Sequence, residues 1–537
     1  MVAGGEEWWR DAVVYQVYPR SFADADGDGV GDIPGIVERL DYLVRLGVDA
    51  LWLTPFQTSP QADHGYDVSD YCDVDPLFGT LDDVDKLLVA AHDAGLRLIV
   101  DLVPNHCSRE HPAFRAALAA PPGSAERERF HFRPGRGPGG DEPPNNWPSE
   151  FGGPAWTRVT EADGEPGEWY LHLYAPEQPD WNWDNPATNR FFADVLGFWF
   201  DLGVDGIRID VAHGLHKAPG LPDVPDPSKV RPYTSRTNPY TSDREETHDV
   251  YRGWRKLANS YDPPRVLVGE VNLAPNRAAL YTRPGELHQS FAFALTQTPW
   301  NARSWHSVMD DLLREGDRYG APVTWVLESH DIVRASTRFG GGDAGFSRAR
   351  AGLLAILALP GSAYIYQGEE LGLPEVDVSE EDRQDPAWLR GGTSRDGCRV
   401  PLPWTEAAAG AYGFSSGGRV RPWLPQPDGW GVYSVEAAER AQDSTLALTR
   451  TALRLRRGLR ASGVLGRGAG HARSISWLEL GVDVLAFQRG SSFACVVNFR
   501  ATPAPLPAGD VLLASELGVV DELPPDSACW LRLSNHA

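Results

Sequence analysis

The sequence predicts an α/β protein built on a (β/α)8 TIM barrel, and three observations support this prediction. Short apolar runs rich in β-branched residues alternate along the chain with longer stretches of helical periodicity. That alternation is typical of a parallel sheet covered by helices, and the runs add up to eight strands. Polar clusters stand at the carboxyl ends of several runs, where a barrel carries its active site.

The first three strands are predicted in the runs AVVYQVY (12–18), ALWLTP (50–55) and LRLIVDLVP (96–104). Between them, IVERLDYLVRLGV and LDDVDKLLVAAHDAG place apolar residues at helical spacing, with glycine near the end of each. After position 104 the chain becomes rich in glycine, proline and tryptophan, a composition that cannot form a compact helical layer. We therefore predict that residues 1–106 form the first part of the barrel and that 107–175 form an inserted subdomain after the third strand.

The alternation resumes with the helix NRFFADVLGFWFDLG and with strand runs at 206–210, 265–270, 324–331 and 362–370. The sixth strand, near 288–295, is the least distinct. An irregular insertion is predicted at about 372–429 and the last barrel helix at 445–463, so that 176–465 form the second part of the barrel. In the remaining stretch, 466–537, short alternating runs such as VDVLAFQR and FACVVNF predict a C-terminal antiparallel β-sandwich.

Composition restricts the partners of the protein. The 537 residues carry a formal net charge of -24, which argues against nucleic acid and anionic membrane surfaces because both require clustered Lys and Arg. No signal peptide and no apolar run of membrane-spanning length is recognisable, so we expect a cytoplasmic protein, monomeric or homodimeric. The five cysteines lack CxxC pairs and are expected to be free thiols. A small, neutral, polar substrate suits this charge balance.

The stretch DADGDGVGD, residues 24–32, predicts a cation site. Its spacing offers hard oxygen ligands from four carboxylates and one backbone carbonyl: Asp24, Asp26, Asp28, Asp32 and Val30. A calcium-sensor loop would carry glutamate at its twelfth position, where this chain has Gly35. We therefore expect a structural Ca²⁺ or Mg²⁺ ion that tightens the fold, and no organic cofactor.

Two carboxylates follow neighbouring strands of the predicted barrel. Asp210 ends the fourth strand and Glu270 the fifth, which brings both side chains to the same rim. Retaining glycosidases use such a pair, about 5–5.5 Å apart, as nucleophile and acid/base. The segments DLVPNH, GIRIDVAH, VGEVNL and ESHD resemble, in order, the four signature segments of the α-amylase family of glycoside hydrolases. The opening WWRDAVVYQVYPRSF and the later GYDVSDYCDVDPLFGT narrow the resemblance to its α-glucosidase and oligo-1,6-glucosidase branch.

The resemblance implies a role for each matching residue. Asp210 would be the nucleophile that forms a β-glucosyl-enzyme, and Glu270 the acid that protonates the leaving oxygen and then activates water. Asp331 would be the third carboxylate, which grips sugar hydroxyls most tightly in the transition state. The remaining positions carried over are the arginine that orients the nucleophile, the paired histidines that bind glucose, and the aromatic platform: Arg208, His106, His330 and Tyr66.

Further positions bear on specificity. Asp63 matches an acidic residue that binds terminal hydroxyls in α-glucosidases with the help of a late arginine, for which Arg399 in GCRVPLPW is the candidate. That pair would close the pocket and favour removal of single glucose units. Val211 stands at a position where, in similar enzymes, valine accompanies α-1,6 linkages; its VAHGL context differs from theirs, so a tolerant enzyme is expected. Ser329 replaces the usual asparagine before His330 and could shift that histidine.

These features predict a retaining exo-acting α-glucosidase for disaccharides and short oligosaccharides. One alternative is a transglucosylase or sucrose-processing isomerase, which shares the glucosyl-enzyme and differs in the acceptor that resolves it. A second is a non-catalytic relative such as the extracellular subunit of an amino-acid transporter. That class lacks part of the carboxylate set and carries a membrane span, whereas this sequence keeps Asp210, Glu270 and Asp331 and shows no such span.

Overall fold

The computed structural model describes residues 7–161, 163–230, 238–417, 420–465 and 475–534. Eight parallel strands form its central sheet: β1 (Val13–Val17), β2 (Ala50–Leu53), β3 (Arg97–Leu102), β4 (Gly206–Ile209), β5 (Val266–Gly269), β6 (Gln289–Ser290), β7 (Thr324–Val326) and β8 (Ser362–Tyr366). Their order is β6-β5-β4-β3-β2-β1-β8-β7. A parallel bridge between Phe291 and Thr324 joins the two edges. The predicted TIM barrel is therefore confirmed.

Helices surround this barrel. The main ones are α1 (Leu40–Leu46), α2 (Leu81–Asp93), α3 (Pro186–Leu202), α4 (Glu245–Ala258), α5 (Pro275–Ala278), α6 (Ala302–Tyr319), α7 (Gly342–Ala358) and α8 (Thr445–Ala461). Local sequence sets their ends. Thr80 and Asp83 form a capping box at the start of α2, and Asn185 caps α3. Gly203 ends α3 in the left-handed conformation, which is unfavourable for residues that carry a side chain.

The sixth strand is shorter than the run near 288–295 suggested. Only Gln289–Ser290 are paired in the sheet, and Phe293–Thr296 form a helical turn. The side chain of Gln289 is used inside the barrel, where its amide donates to the carbonyl oxygen of Trp9 (2.7 Å) and to Ser362 Oγ (2.8 Å). Because the polar side chain of Gln289 has its partners inside the barrel, at Trp9 and at Ser362 of β8, the apolar pattern typical of the other strands is weak here.

The strands divide their side chains between two apolar clusters. Ile207 and Ile209 of β4 point outwards and pack in the large cluster between sheet and helices. Trp52, Ile99, Val266 and Val268 instead fill the inside of the barrel. Because side chains alternate along a strand, Arg208 lies on the inward face of β4, and its guanidinium carbon is 5.0 Å from the centre of the Trp52 ring. The next inward residue is Asp210, at the carboxyl-terminal mouth.

Two irregular segments rise above that mouth. The first, between β3 and α3, contains the helix Pro112–Ala119 and a three-stranded antiparallel sheet of Phe132–Arg133, Trp156–Thr160 and Pro166–Leu171. The second, between β8 and α8, contains the short helices Pro386–Leu389, Asp396–Arg399 and Val435–Arg440. Phe151 and Ala175 of the first segment pack against Ala387 of the second. The two segments therefore meet over the mouth of the barrel.

The chain ends in a five-stranded antiparallel sheet made of Ile475–Trp477, Val484–Arg489, Phe493–Asn498, Gly509–Ala514 and Ser527–Leu533. One face packs on α7, where the indole nitrogen of Trp530 donates to the carbonyl oxygen of Leu354 (3.0 Å). The other face is covered by the paired segments Ala504–Pro505 and Glu522–Leu523. Within the described residues, no helix is both long and apolar enough to cross a membrane.

Candidate active site

The carboxyl ends of β4 and β5 bring two acidic side chains together. The two strands pair in parallel, with Ile209 opposite Gly269, so the residues that follow them, Asp210 and Glu270, leave the sheet side by side. The amide of Glu270 donates to the carbonyl oxygen of Ile209 at 2.9 Å, and that of Asp210 to the carbonyl oxygen of Leu102 at 2.9 Å. The backbone ladder therefore fixes where both carboxyls stand, as neighbouring strand ends in a barrel predict.

Arg208 joins these carboxyls and one more. One outer guanidinium nitrogen donates to Asp210 (2.8 Å) and to Asp101 (2.9 Å), and the other donates to Glu270 Oε2 (2.8 Å). The arginine side chain is 1% exposed, so these contacts form away from water. A planar guanidinium held by three carboxylates cannot rotate freely, and it orients Asp210 and Glu270 relative to each other.

The environment of Asp210 controls its proton. Burial and the adjacent Glu270 carboxyl raise the pKa of Asp210 well above its ordinary value, while Arg208 acts in the opposite direction. The two carboxyls lie at one guanidinium, since Arg208 is 2.8 Å from an oxygen of each. The contact with the Arg208 guanidinium favours the carboxylate form of Asp210.

Asp331 follows β7 and lies between two arginines. Its Oδ1 accepts from Arg395 (2.9 Å) and from Arg399 (2.9 Å). Burial opposes ionisation, but His330, Arg395 and Arg399 together hold the pKa of Asp331 below its ordinary value. Asp331 is therefore an anion at neutral pH, ready to accept hydrogen bonds from hydroxyl groups.

His330 keeps a defined position although Ser329 replaces the usual asparagine. The side-chain amide of Gln16 lies 2.7 Å from Nδ1 of His330, and the Tyr66 hydroxyl lies 2.7 Å from Nε2. The ring also stacks on Tyr66, with 5.4 Å between ring centres and 6° between the planes. Burial lowers the pKa of His330 to about 3, so the ring is neutral, and donation by Gln16 to Nδ1 places the proton on Nε2. These contacts compensate for the missing amide.

The end of the pocket is formed by Asp63, which follows β2. Its Oδ2 accepts from the side-chain amide of Gln178 (3.0 Å), and the same amide nitrogen lies 3.1 Å from Nε2 of His106. Burial raises the pKa of Asp63 to about 7, and burial lowers the pKa of His106 to about 3. The two predicted glucose-binding residues are therefore connected by Gln178, whose position in the loop before α3 carries no local signal in the sequence.

The predicted partner of Asp63 is wrong. Arg395, not Arg399, pairs with Asp63, at 3.3 Å between Nη2 and Oδ1. Arg399 instead contacts Asp331 and donates through Nε to the carbonyl oxygen of His330 (2.7 Å). The two arginines lie at the ends of the helical turn Asp396–Arg399, and this turn directs Arg395 towards the pocket end and Arg399 behind His330. A motif match near Arg399 could not separate them, because that choice depends on the rotation of one helical turn.

Most of the predicted substrate residues line a single cavity: Asp63, Tyr66, His106, Asp210, Val211, Glu270 and Asp331, joined by Phe151, Tyr174 and Arg395. A second cavity shares Tyr174, Val211 and Glu270 with it and extends past His213, Thr241 and Asn272. The shared glutamate therefore lies where the two cavities meet. Asn272 belongs to it, whereas His64 lies behind the pocket, with Nδ1 2.6 Å from Arg20.

Asp101 was not among the predicted site residues, although it stands in the motif DLVPNH. It contacts Arg208 (2.9 Å) and accepts from the Tyr66 hydroxyl (3.3 Å). Burial raises the pKa of Asp101 to about 7, although Arg208 acts against that change. Its place on the inward face of β3, two residues after Ile99, is the signal that could have identified it.

The loop predicted to bind a cation brings three of its five expected ligands together. One carboxylate oxygen each from Asp24, Asp26 and Asp28 lies within 4.8 Å of the others. Asp32 is not part of this group. Its oxygens accept from the amides of Ala25 (3.0 Å) and Gly35 (2.6 Å), and it caps the helix Ile33–Glu38. Three converging carboxylates suit a hard cation such as Ca²⁺ or Mg²⁺.

Comparison with known proteins assigns the family. The model of the α-amylase catalytic domain matches residues 16–462. The chain belongs to the α-amylase family. That match extends from β1 to the end of α8, so it covers the barrel and both irregular segments of this α-amylase-family protein.

Relatives of this α-amylase-family protein include oligo-1,6-glucosidase of Parageobacillus thermoglucosidasius, 36% identical over 84% of this chain and 84% of that protein. Trehalose-6-phosphate hydrolase of Escherichia coli is 36% identical over 82% of each. Among solved structures, the α-glucosyl transfer enzyme XgtA has a TM-score of 0.84 at 35% identity, covering 98% of this chain and 99% of that one. Trehalulose synthase MutB of Pseudomonas mesoacidophila has a TM-score of 0.87 at 29% identity, covering 98% and 100%.

Proposed function

We propose that this protein is a retaining exo-acting α-glucosidase that removes terminal α-linked glucose from disaccharides and short oligosaccharides. The observation that carries the proposal is the guanidinium of Arg208, which donates to Asp210 (2.8 Å) through one outer nitrogen and to Glu270 (2.8 Å) through the other, at the mouth of the barrel. Inverting enzymes need carboxyls about 6.5–9.5 Å apart to admit a water molecule, whereas retaining enzymes use a closer pair. This arrangement therefore supports double displacement.

In the first step, the Asp210 carboxylate attacks the anomeric carbon while Glu270 gives its proton to the leaving oxygen. The hydrogen bonds of Glu270 support one of its two oxygens as the donor. Oε2 accepts from Arg208 (2.8 Å) and from the amide of Val211 (3.1 Å), so the proton belongs on Oε1. Asp331 accepts hydrogen bonds from the sugar hydroxyls, an interaction that strengthens as the ring flattens towards the oxocarbenium ion.

In the second step, Glu270 has lost its proton and acts as a base. It removes a proton from a water molecule, and the water oxygen attacks the anomeric carbon of the glucosyl-enzyme. The bond to Asp210 breaks, and α-glucose is released with its original anomeric configuration. Arg208 compensates for the charge that returns to Asp210, because it already contacts that carboxylate in the resting state.

The closed end of the pocket supports exo action. The ion pair of Asp63 and Arg395 blocks the channel beyond the glucose site, and the ring of Phe151 covers the guanidinium at 5.1 Å. If an internal glucose unit of a longer chain occupied the pocket, the sugars on its non-reducing side would have to displace this buried pair, at a cost of several kcal/mol. One terminal glucose therefore fits, while a longer chain extends only towards the leaving-group side.

A second candidate function is transglucosylation, and two solved neighbours favour it. XgtA is described as an α-glucosyl transfer enzyme and MutB as a trehalulose synthase. Both outcomes start from the same glucosyl-enzyme, so the distinction depends on whether water or a sugar occupies the cavity lined by His213, Thr241 and Asn272. The non-catalytic alternative receives no support, because Asp210, Glu270 and Asp331 all reach one cavity.

Proton NMR of reactions with maltose, isomaltose, sucrose and trehalose 6-phosphate tests the proposal. We expect α-glucose to appear first, before mutarotation, from at least one of the neutral disaccharides. If new glycosides are the main product, transglucosylation replaces hydrolysis as the proposed function. Early β-glucose would contradict the retaining mechanism, and absence of turnover with all four would contradict the assignment as a glucosidase.

Val211 is proposed to tune linkage preference. It lines both the glucose cavity and the leaving-group cavity, and its backbone is held at φ 44° by the chain around the nucleophile. Threonine has the same branching at Cβ, so Val211→Thr should keep this backbone while it adds a hydroxyl beside the leaving group. We expect the ratio of kcat/KM for maltose to that for isomaltose to rise about tenfold.

The exposed Val44 on α1 provides the matched control, since Val44→Thr makes the same chemical change far from the pocket. Initial rates with both disaccharides measure the ratio. An equal loss of kcat/KM for both linkages in Val211→Thr would contradict the proposed tuning role and would indicate a general disturbance of the nucleophile.

The cation at Asp24, Asp26 and Asp28 is proposed to be structural. Its loop is tied to the second irregular segment, since the amide of Asp24 donates to the carbonyl oxygen of Phe414 (2.8 Å) and the amide of Trp423 to that of Gly29 (2.9 Å). A bound Ca²⁺ or Mg²⁺ would neutralise the converging carboxylates and hold this contact. It would supply no step of the reaction. The predicted carbonyl ligand from Val30, the cytoplasmic location and the monomeric or homodimeric state stay predictions.

Calcium is therefore expected to raise the Tm without changing kcat or KM. At a concentration about 100 times Kd, binding to the native state alone contributes about 2.7 kcal/mol, which shifts the Tm of a large domain by several degrees. Thermal denaturation with calcium and with chelator measures the effect. Asp26→Asn should abolish it, and Asp41→Asn, at an exposed position on α1, should leave it intact. A calcium-dependent kcat at constant fold would overturn the structural role.

A further inference from the structure

The guanidinium of Arg395 lies among three carboxylates, of which two face the sugar pocket. Nη1 donates to Asp331 (2.9 Å), and Nη2 is 3.3 Å from Oδ1 of Asp63. The third carboxylate, Asp385, lies outside the pocket and is completely buried. Because one guanidinium contacts both Asp63 and Asp331, the orientation of Arg395 influences how each presents its oxygens to the substrate, in addition to the contacts with Gln178 and Arg399.

Asp385 accepts hydrogen bonds from both the backbone and the guanidinium of Arg395. Its Oδ2 accepts from the backbone amide (2.6 Å) and from Nε (2.8 Å) of Arg395, and its Oδ1 accepts from Nη2 (2.8 Å). A carboxylate that binds Nε and Nη2 together fixes the plane of the guanidinium. The one outer nitrogen that Asp385 does not use, Nη1, then points at Asp331.

We propose that Asp385 is a positioning residue for substrate binding: it orients Arg395 so that this arginine serves Asp63 and Asp331 at the same time. The inference rests on the proposed glucosidase function and extends it to a residue that does not line the pocket. Asp385 acts through Arg395 and touches no part of the space where glucose would bind.

The surroundings of Asp385 hold it in place. The backbone amide of Asp385 donates to Asp396 (3.1 Å). Its Oδ1 also accepts from the amide of Ala387 (2.9 Å), so that Asp385 caps the helix Pro386–Leu389. The same short helix places Ala387 against Phe151, whose ring lies 5.1 Å from the Arg395 guanidinium carbon. Arg395 is therefore fixed from both irregular segments, by a carboxylate on one side and an aromatic ring on the other.

Removal of the charge of Asp385 should release this orientation. In Asp385→Asn, an amide NH2 group faces N–H donors of Arg395, so at least one of the present hydrogen bonds becomes a repulsive contact. The guanidinium would then move towards Asp63 and Asp331, because the competing attraction of Asp385 is lost. Both carboxylates would lose the geometry in which their free oxygens accept hydrogen bonds from sugar hydroxyls. We therefore expect KM to rise and kcat to fall.

The test is a double-mutant cycle of Asp385→Asn and Arg395→Lys, measured with the disaccharide that the wild type hydrolyses best. We expect Asp385→Asn to reduce kcat/KM by about 10- to 100-fold, the usual effect of losing hydrogen bonds to a charged group. In the Arg395→Lys background the same change should cost less than about 3-fold, because the oriented group is gone. Asp377→Asn, in the same segment with a completely exposed side chain, is the matched control.

An equal loss in both backgrounds would overturn the positioning role, since a purely structural residue costs the same with or without Arg395. A loss no larger than that of Asp377→Asn would also overturn it. If the asparagine variant does not fold, Asp385→Glu keeps the charge, displaces the carboxylate by one methylene, and allows the same cycle.

A binding measurement separates this inference from the proposed function. Deoxynojirimycin, a basic imino sugar with the shape of glucose, reports the glucose pocket without turnover. Failure of the wild type to release glucose would contradict the glucosidase proposal. The Kd for deoxynojirimycin would still test Asp385, because Asp385→Asn should raise it in the presence of Arg395 and leave it almost unchanged in Arg395→Lys.

Discussion

Asp210→Asn is expected to reduce kcat for glucose release by about 10⁴- to 10⁶-fold, the range seen when a catalytic nucleophile is removed. The amide is too weak a nucleophile to form the glucosyl-enzyme, and it cannot carry the negative charge that Arg208 stabilises. The fold should survive, because asparagine has nearly the same shape and can still accept from Arg208. Thermal denaturation provides that control.

The anomeric configuration of the product that forms when azide restores activity to a variant identifies the nucleophile. Asp210→Gly opens space beside the anomeric carbon, and azide can enter there and displace the leaving group directly. We expect β-glucosyl azide, formed with a single inversion, which NMR distinguishes from the α anomer. Turnover retained in a clean preparation of Asp210→Asn would contradict the nucleophile assignment, and so would an α-azide from Asp210→Gly.

Glu270→Gln is expected to have the second largest effect, and its size should depend on the leaving group. Disaccharides need protonation of the leaving oxygen, so their kcat/KM should fall by about 10²- to 10⁴-fold. Dinitrophenyl α-glucoside releases a stable anion that needs no acid, so its first step should remain fast. Hydrolysis of the glucosyl-enzyme would be slow without a base, and stopped-flow measurements should show a burst of dinitrophenol.

Azide again provides the control. It needs no general base, so it should restore steady-state turnover of dinitrophenyl α-glucoside by Glu270→Gln and yield α-glucosyl azide, the product of two inversions. The contrast with the β-azide expected from Asp210→Gly assigns the two carboxyls independently. Equal losses of kcat/KM for disaccharide and aryl glucoside would show that Glu270 does not protonate the leaving group.

Much of the fold was predictable because strand and helix periodicities are local properties. The runs that predicted β1 to β5, β7 and β8 fall on observed strands, and the predicted last helix at 445–463 corresponds to Thr445–Ala461. The sixth strand was indistinct because the polar residue Gln289 interrupts its apolar pattern. The side chain of Gln289 forms its hydrogen bonds inside the barrel. The predicted C-terminal region begins at 466, of which 466–474 lie outside the described residues, and its first described strand is Ile475–Trp477.

The sequence by itself determined the barrel and the order of the carboxylates at its mouth, since strand periodicity and the ends of parallel strands place Asp210, Glu270 and Asp331 on one rim. Only the tertiary structure decided that Arg395 rather than Arg399 pairs with Asp63, and that Asp385 orients it. Asp63 and Arg395 are 332 positions apart, and Asp385 and Arg395, although 10 positions apart, meet through the fold of an irregular segment. No local pattern encodes them, because the path of an irregular segment depends on the surfaces against which it packs.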